Sequence, residues 1–196
     1  MGFRIRDRID VTPAFIAFLC AYYYFDPAQS FAPFLLSVLL HEAGHLLALK
    51  LSGAKILMLR LSACGATIVT EPLRYQTELL AAAAGPATNL LLLLIAIHRA
   101  PVFALVNLCL LTYNLLPIFP LDGGRMLRAL LLLLLPARAA ELLERVVGGI
   151  CLGALLAAAC YLTCVWHAGL WPVLVAALLL LRVTETILLE NKKMLV

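Results

Sequence analysis

Residues 31–49 read FAPFLLSVLLHEAGHLLAL, and this stretch decides how the whole chain is read. A membrane-crossing helix needs roughly 20 apolar residues, and this run is of that length. Yet it carries His41, Glu42 and His45, three ionisable side chains whose placement in hydrocarbon is costly and therefore points to function. His41 and His45 are four apart, on one helix face and one turn removed, so both imidazoles can reach one metal ion. Glu42 between them can act as base toward a water that such a metal activates. The plainer alternative is a hydrogen-bonded cluster between helices, and the bias of intramembrane ionisable residues toward function outweighs it.

The rest of the chain agrees with a membrane setting. Of 196 residues 64% are hydrophobic and 13% charged, with a mean hydropathy of +1.03; soluble domains carry about 25% charge. Disorder, collagen and an ordinary soluble globule are excluded. The net charge of +4 is small and scattered, and no basic cluster alternates with aromatics, so nucleic acid is not an expected partner. Six cysteines include no C-x-x-C pair and read as buried apolar fillers. Further apolar runs are 11–25, 79–97, 102–135, 146–165 and 170–189. The first is short for a span, and the 102–135 run is too long for one.

That long run is broken by Pro117, Pro120, Asp122, Gly123 and Gly124, which cannot continue a helix. Backbone freed in lipid is tolerated only against protein or water, so the break is expected to face a wet internal cavity. Between the second and third runs, residues 56–61 and 66–70 flank Gly65 as two short strands. The expected fold is an all-α polytopic membrane protein with about six transmembrane helices, the fourth interrupted, and a membrane-associated β-hairpin after the second. Of the fifteen lysines and arginines only Arg99 falls on one side of such a topology. Both termini are therefore expected in the cytoplasm.

Two histidines leave a catalytic zinc short of its third protein ligand. His98 and His167 fall on the side poor in positive charge. Asp122, an isolated carboxylate in the helix break, is the better third ligand, because a bare aspartate at that depth asks for a cation. Its alternative role is an N-cap for the helix that follows. Gly85-Pro86 in the third run reads foremost as close packing, with Asn89 as a hydrogen-bonding side chain toward the metal helix. A transporter using the same polar centre would be expected to show matched halves with paired broken helices, which the sequence lacks. A non-catalytic client-binding scaffold is opposed by the intact Glu42, and a di-iron oxidase needs more than four histidines.

His41-Glu42-Ala43-Gly44-His45, Gly85-Pro86-Ala87-Thr88-Asn89 and the run from Asn114 to Gly124 (NLLPIFPLDGG) resemble the three signatures of the site-2 protease family of intramembrane zinc metalloproteases. The resemblance runs closest to the stage IV sporulation protein FB branch. It implies His41, His45 and Asp122 as ligands of one zinc ion per chain and Glu42 as catalytic acid/base. It also implies Asn114 near the active centre, with Pro120 supporting the break, and a substrate-engaging segment at the Gly65 hairpin. The implied activity is hydrolysis of membrane-embedded or membrane-tethered proteins near the cytoplasmic face, a sigma-factor precursor among them. Expected partners are that substrate, membrane lipids and a regulatory membrane protein, in a bacterial cell or forespore membrane. Members of the sporulation branch carry a C-terminal nucleotide-sensing domain. This chain ends six residues after Glu190, so a single metalloprotease domain over 1–196 without that regulatory part is expected.

Overall fold

A computed structural model describes residues 9–26, 29–62, 65–167 and 169–194. These fall into two compact units, one ending at Leu115 and one beginning at Leu116.

The first unit opens with strand β1 (Ile9–Val11) and helix α1 (Pro13–Tyr24). Thr12 caps α1, its Oγ1 accepting from Phe15 N–H at 3.3 Å, with Pro13 at the first helical position, where its missing N–H costs nothing. At 12 residues α1 is about 18 Å long, well under the roughly 30 Å hydrocarbon core. Helix α2 (Phe31–Leu51) follows, then strands β2 (Ile56–Ser62) and β3 (Gly65–Thr70), and helices α3 (Tyr75–Ala96) and α4 (Pro101–Asn114).

β2 and β3 form the expected antiparallel hairpin, with Leu59 opposite Ile68 and Ser62 opposite Gly65 and a register shift between Ile56 and Met58. The first apolar run yields an addition. Val11 is not helical but closes β1, which pairs parallel to β2 with Ile9 opposite Leu59. Thr12 N–H donating to Leu61 O continues that ladder at 2.9 Å, and Asp10 pairs with Arg60 across it at 2.9 Å. Three residues before a proline are too few for strand alternation to register, which is why the sequence shows only the hairpin.

The second unit begins with the turn that breaks the long apolar run. Ile118 to Leu121 is a β-turn with a cis Phe119–Pro120 peptide and Leu121 N–H donating to Ile118 O at 2.8 Å, the type VI arrangement. Helix α5 (Asp122–Leu134) starts immediately after it, followed by α6 (Ala137–Cys164) and α7 (Trp171–Met194). The first turn of α5 lies against the preceding turn so closely that a Cβ at Gly124 would stand 2.6 Å from Ile118 O. Arg128 lies over the Phe119 ring at 5.0 Å, a cation–π contact that ties helix to turn. α6 begins nine residues before its apolar run, because Arg138, Glu141, Glu144 and Arg145 extend it as good helix formers.

Among the described residues three helices, α2, α3 and α6, are long and apolar enough to cross a membrane, and Pro13–Tyr24, Pro101–Asn114 and Pro172–Thr184 are shorter apolar helices. The core is inverted relative to a soluble protein. Ser37, His41, His45, Asn89 and Asn107 are buried, while Leu36, Leu39, Leu47, Leu91 and Leu94 are exposed. The cysteines follow the same inversion: Cys20, Cys109, Cys160 and Cys164 lie exposed on apolar helices rather than buried. Small residues line the contact between α2 and α3, as in membrane bundles generally: Gly44 faces Ala84 and Thr88 so closely that a Cβ there would lie 2.9 Å from Ala84 O.

Candidate metal centre

The buried residues of α2 are Ser37, His41, His45 and Leu49. Each is one turn from the next, so a single stripe turns inward. Opposite it α3 presents Ala81, Gly85 and Asn89, all buried and also spaced by four. The two stripes run antiparallel: His45 meets Ala81 and His41 meets Asn89.

Each imidazole is fixed through Nδ1. His45 Nδ1–H donates to Ala81 O at 2.7 Å. A carbonyl can only accept, so this bond places the hydrogen on Nδ1. His41 Nδ1–H donates to Asn89 Oδ1 at 2.6 Å. Both rings therefore carry their lone pair on Nε2, and those two nitrogens lie 3.1 Å apart with the ring planes at 84°. Two nitrogen lone pairs converging on one point are what a divalent cation accepts, and histidine ligands are generally held through the opposite ring nitrogen. The donor set thus fits zinc.

Gly85 gives the rings their space. A Cβ there would stand 2.5 Å from His45 Cε1 and 2.7 Å from His41 Cε1, distances no packed side chain adopts. Pro86 lies inside the continuous helix α3. It has no N–H for the Ala82 carbonyl four residues earlier and its ring crowds that carbonyl, which neighbours the Ala81 carbonyl that takes the His45 hydrogen bond. The Gly-Pro-x-x-Asn run, read from sequence foremost as packing, thus sets Gly85, Asn89 and the Ala81 turn against the histidine pair. Ala81 and Gly85 were absent from the candidate residues. Their signal was the four-residue spacing of 81, 85 and 89, which matches that of 41 and 45.

Glu42 follows His41 on α2 and is half-buried. Asn114 is the last residue of α4, its Nδ2 donating to Leu110 O of its own helix at 3.0 Å. Gly65 opens β3 opposite Ser62. Pro120 sits in the cis turn that precedes α5. Asp122, in the second unit, is buried, with Oδ1 3.4 Å from Arg125 Nη1. It is not an N-cap: Leu121 holds that position and Asp122 is the first helical residue. There a carboxylate gains from the positive end of the helix dipole.

Residues 95–155 match the family model for peptidase family M50. A zinc metalloprotease of Methanocaldococcus jannaschii is 33% identical over 108 residues, which is 48% of this chain and 32% of that protein. The chain thus spans about a third of the length of this relative. The solved structure of the site-2 protease from Methanocaldococcus jannaschii superposes with a TM-score of 0.64 at 24% identity, covering 91% of this chain and 90% of that one. The family model and the relative each match a part of this chain, and the solved structure shares its fold.

Proposed function

We propose that this chain is an intramembrane zinc endopeptidase of the site-2 type, cutting membrane-embedded or membrane-tethered proteins near the cytoplasmic face. The observation that carries the reading is the buried H-E-x-x-H pair, with both Nδ1 atoms committed to oxygen acceptors and the two Nε2 atoms 3.1 Å apart. Asp122, the buried carboxylate at the head of α5, is the third ligand, and one zinc is held per chain. Zinc held there would supply Lewis-acid polarisation of the scissile carbonyl and lower the pKa of a water to about 7.

Glu42 takes the proton from the attacking water and passes it to the leaving amine, a transfer suited to a carboxylate one residue from a metal ligand. Asn114 donates its amide to the carbonyl oxygen as negative charge develops there. A peptide bond must be extended to be attacked, so a helical substrate unwinds at the cut. β3, an edge of the three-stranded sheet, takes the extended segment as an added strand. The three shorter apolar helices complete a six-crossing topology with cytoplasmic termini, surrounded by lipid and attended by a regulatory membrane protein. The sporulation-branch resemblance proposes a membrane-tethered sigma-factor precursor as substrate.

The test is co-reconstitution of the chain with a tagged membrane-tethered precursor. The parent cleaves it, and Glu42→Gln, of the same shape, keeps its zinc and loses cleavage by several orders of magnitude. Cleavage at the parent rate by Glu42→Gln would remove Glu42 from the mechanism.

A further inference from the structure

Two buried amides behind the histidine pair each have half of their hydrogen-bonding capacity unused. Asn89, on α3, accepts from His41 through Oδ1, and its Nδ2 has no partner among the described residues. Asn107, on α4, donates through Nδ2 to Ser37 Oγ at 2.9 Å and to Phe103 O at 2.8 Å, and its Oδ1 has no partner among the described residues. Asn89 and Asn107 are both 0% exposed. One orphan is a donor and the other an acceptor. Their partners on α2, His41 and Ser37, lie one turn apart on one buried stripe, so both amides reach the same side of that helix. A single water that accepts from one group and donates to the other would satisfy both. A buried donor or acceptor left unsatisfied destabilises the fold, and internal waters typically sit where they satisfy such groups.

We propose that one internal water bridges Asn89 Nδ2 and Asn107 Oδ1, and that Asn107 is thereby a positioning residue for the metal ligand His41. The inference rests on the zinc reading above. The two ends of an asparagine amide are nearly alike in shape. Turned over, Asn89 would present Nδ2 to His41 Nδ1 and force the hydrogen onto Nε2, the tautomer that cannot ligate. A water that accepts from Nδ2 opposes that turn. Asn107 can hold this water because its own orientation is fixed: the Phe103 carbonyl accepts only from Nδ2. Ser37, one turn before His41, anchors the amide to the metal helix. Ser37 and Asn107 thus form a polar layer behind the ligand that touches neither substrate nor metal.

The experiment compares the full chain with Asn107→Leu and Asn107→Asp in nanodiscs. Zinc affinity is read by chelator competition and site geometry by the visible spectrum of the cobalt-substituted protein. Asn107→Leu matches the side chain in size and lacks the acceptor. It is expected to weaken zinc binding at least about tenfold, the lower end for outer-layer partners of metal-binding histidines, and to alter the cobalt spectrum. Asn107→Asp keeps an acceptor oxygen at the same place and restores affinity to within about threefold, a pattern that hydrogen bonding predicts and packing does not. Equal affinity and spectrum in Asn107→Leu and parent overturn the proposal, as does an equal loss in both variants. A parent that binds no zinc overturns the metal reading and this inference with it. A readout that needs no variant is a magnetisation-transfer cross-peak between the Asn89 side-chain amide protons and a long-lived water. Its presence supports the bridge and its absence overturns it.

Discussion

Replacing Gly85 by alanine adds one methyl group at the point where α3 faces both imidazoles. That carbon would lie 2.5 Å from His45 Cε1 and 2.7 Å from His41 Cε1. His45 Nε2 would lie nearer still, and ordinary contact begins at 3.4 Å, so one or both rings must retreat by about 1 Å, or the helices must part. The rings cannot simply swing aside, because Ala81 O and Asn89 Oδ1 hold their Nδ1 atoms. Overpacking of this kind costs about 1–3 kcal/mol. Charged against metal binding, that is a loss of roughly 5- to 150-fold in zinc affinity. The same substitution should favour the helix, since alanine is a better helix former than glycine by about 1 kcal/mol. The two effects have opposite signs, which separates a metal-site role from general damage. Chelator competition reads the affinity and circular dichroism the helix content, both in detergent. A Gly85→Ala chain with full helicity and zinc affinity within twofold of the parent would refute the argument that this glycine exists to admit the imidazoles.

Asn89→Leu should retain the fold and weaken zinc binding about 10- to 100-fold, while Asn89→Asp, which still accepts from His41, should bind zinc far better than the leucine variant; both are read by chelator competition. Gly124→Ala presses a methyl group onto the rigid backbone of Ile118 and Phe119 and should lower stability by about 1–3 kcal/mol, read as a lower midpoint in thermal unfolding. Asp10→Ala removes an exposed partner of Arg60 and should cost under about 1 kcal/mol, leaving that midpoint nearly unchanged.

The parts of the fold governed by short-range rules were legible in the residues. Residues 31–49 announced α2 because length, apolarity and two histidines four apart are all local properties. The break at Pro117–Gly124 was equally plain, since prolines and glycines act on their own backbone, and the hairpin followed from two short runs, apolar before Gly65 and β-branched after it. β1 was hidden because its partner lies some fifty residues away and three residues leave no periodicity. The inward stripe of α3 was visible as spacing but not as purpose. Nothing within 75–96 says that Gly85 faces an imidazole rather than a neighbouring leucine; that depends on the rotation of α3 about its axis, which packing against α2 decides. Asn107 was invisible for the same reason, one amide in an apolar helix whose partner, Ser37, lies seventy residues earlier.

Zinc content of the purified chain and of Asp122→Ala, measured by elemental analysis after dialysis against a weak chelator, tests the central claim most directly. About one zinc per parent chain and a clear deficit in the variant is the predicted result. Equal zinc in the two proteins, or none in the parent, would contradict the assignment of His41, His45 and Asp122 to a single metal ion.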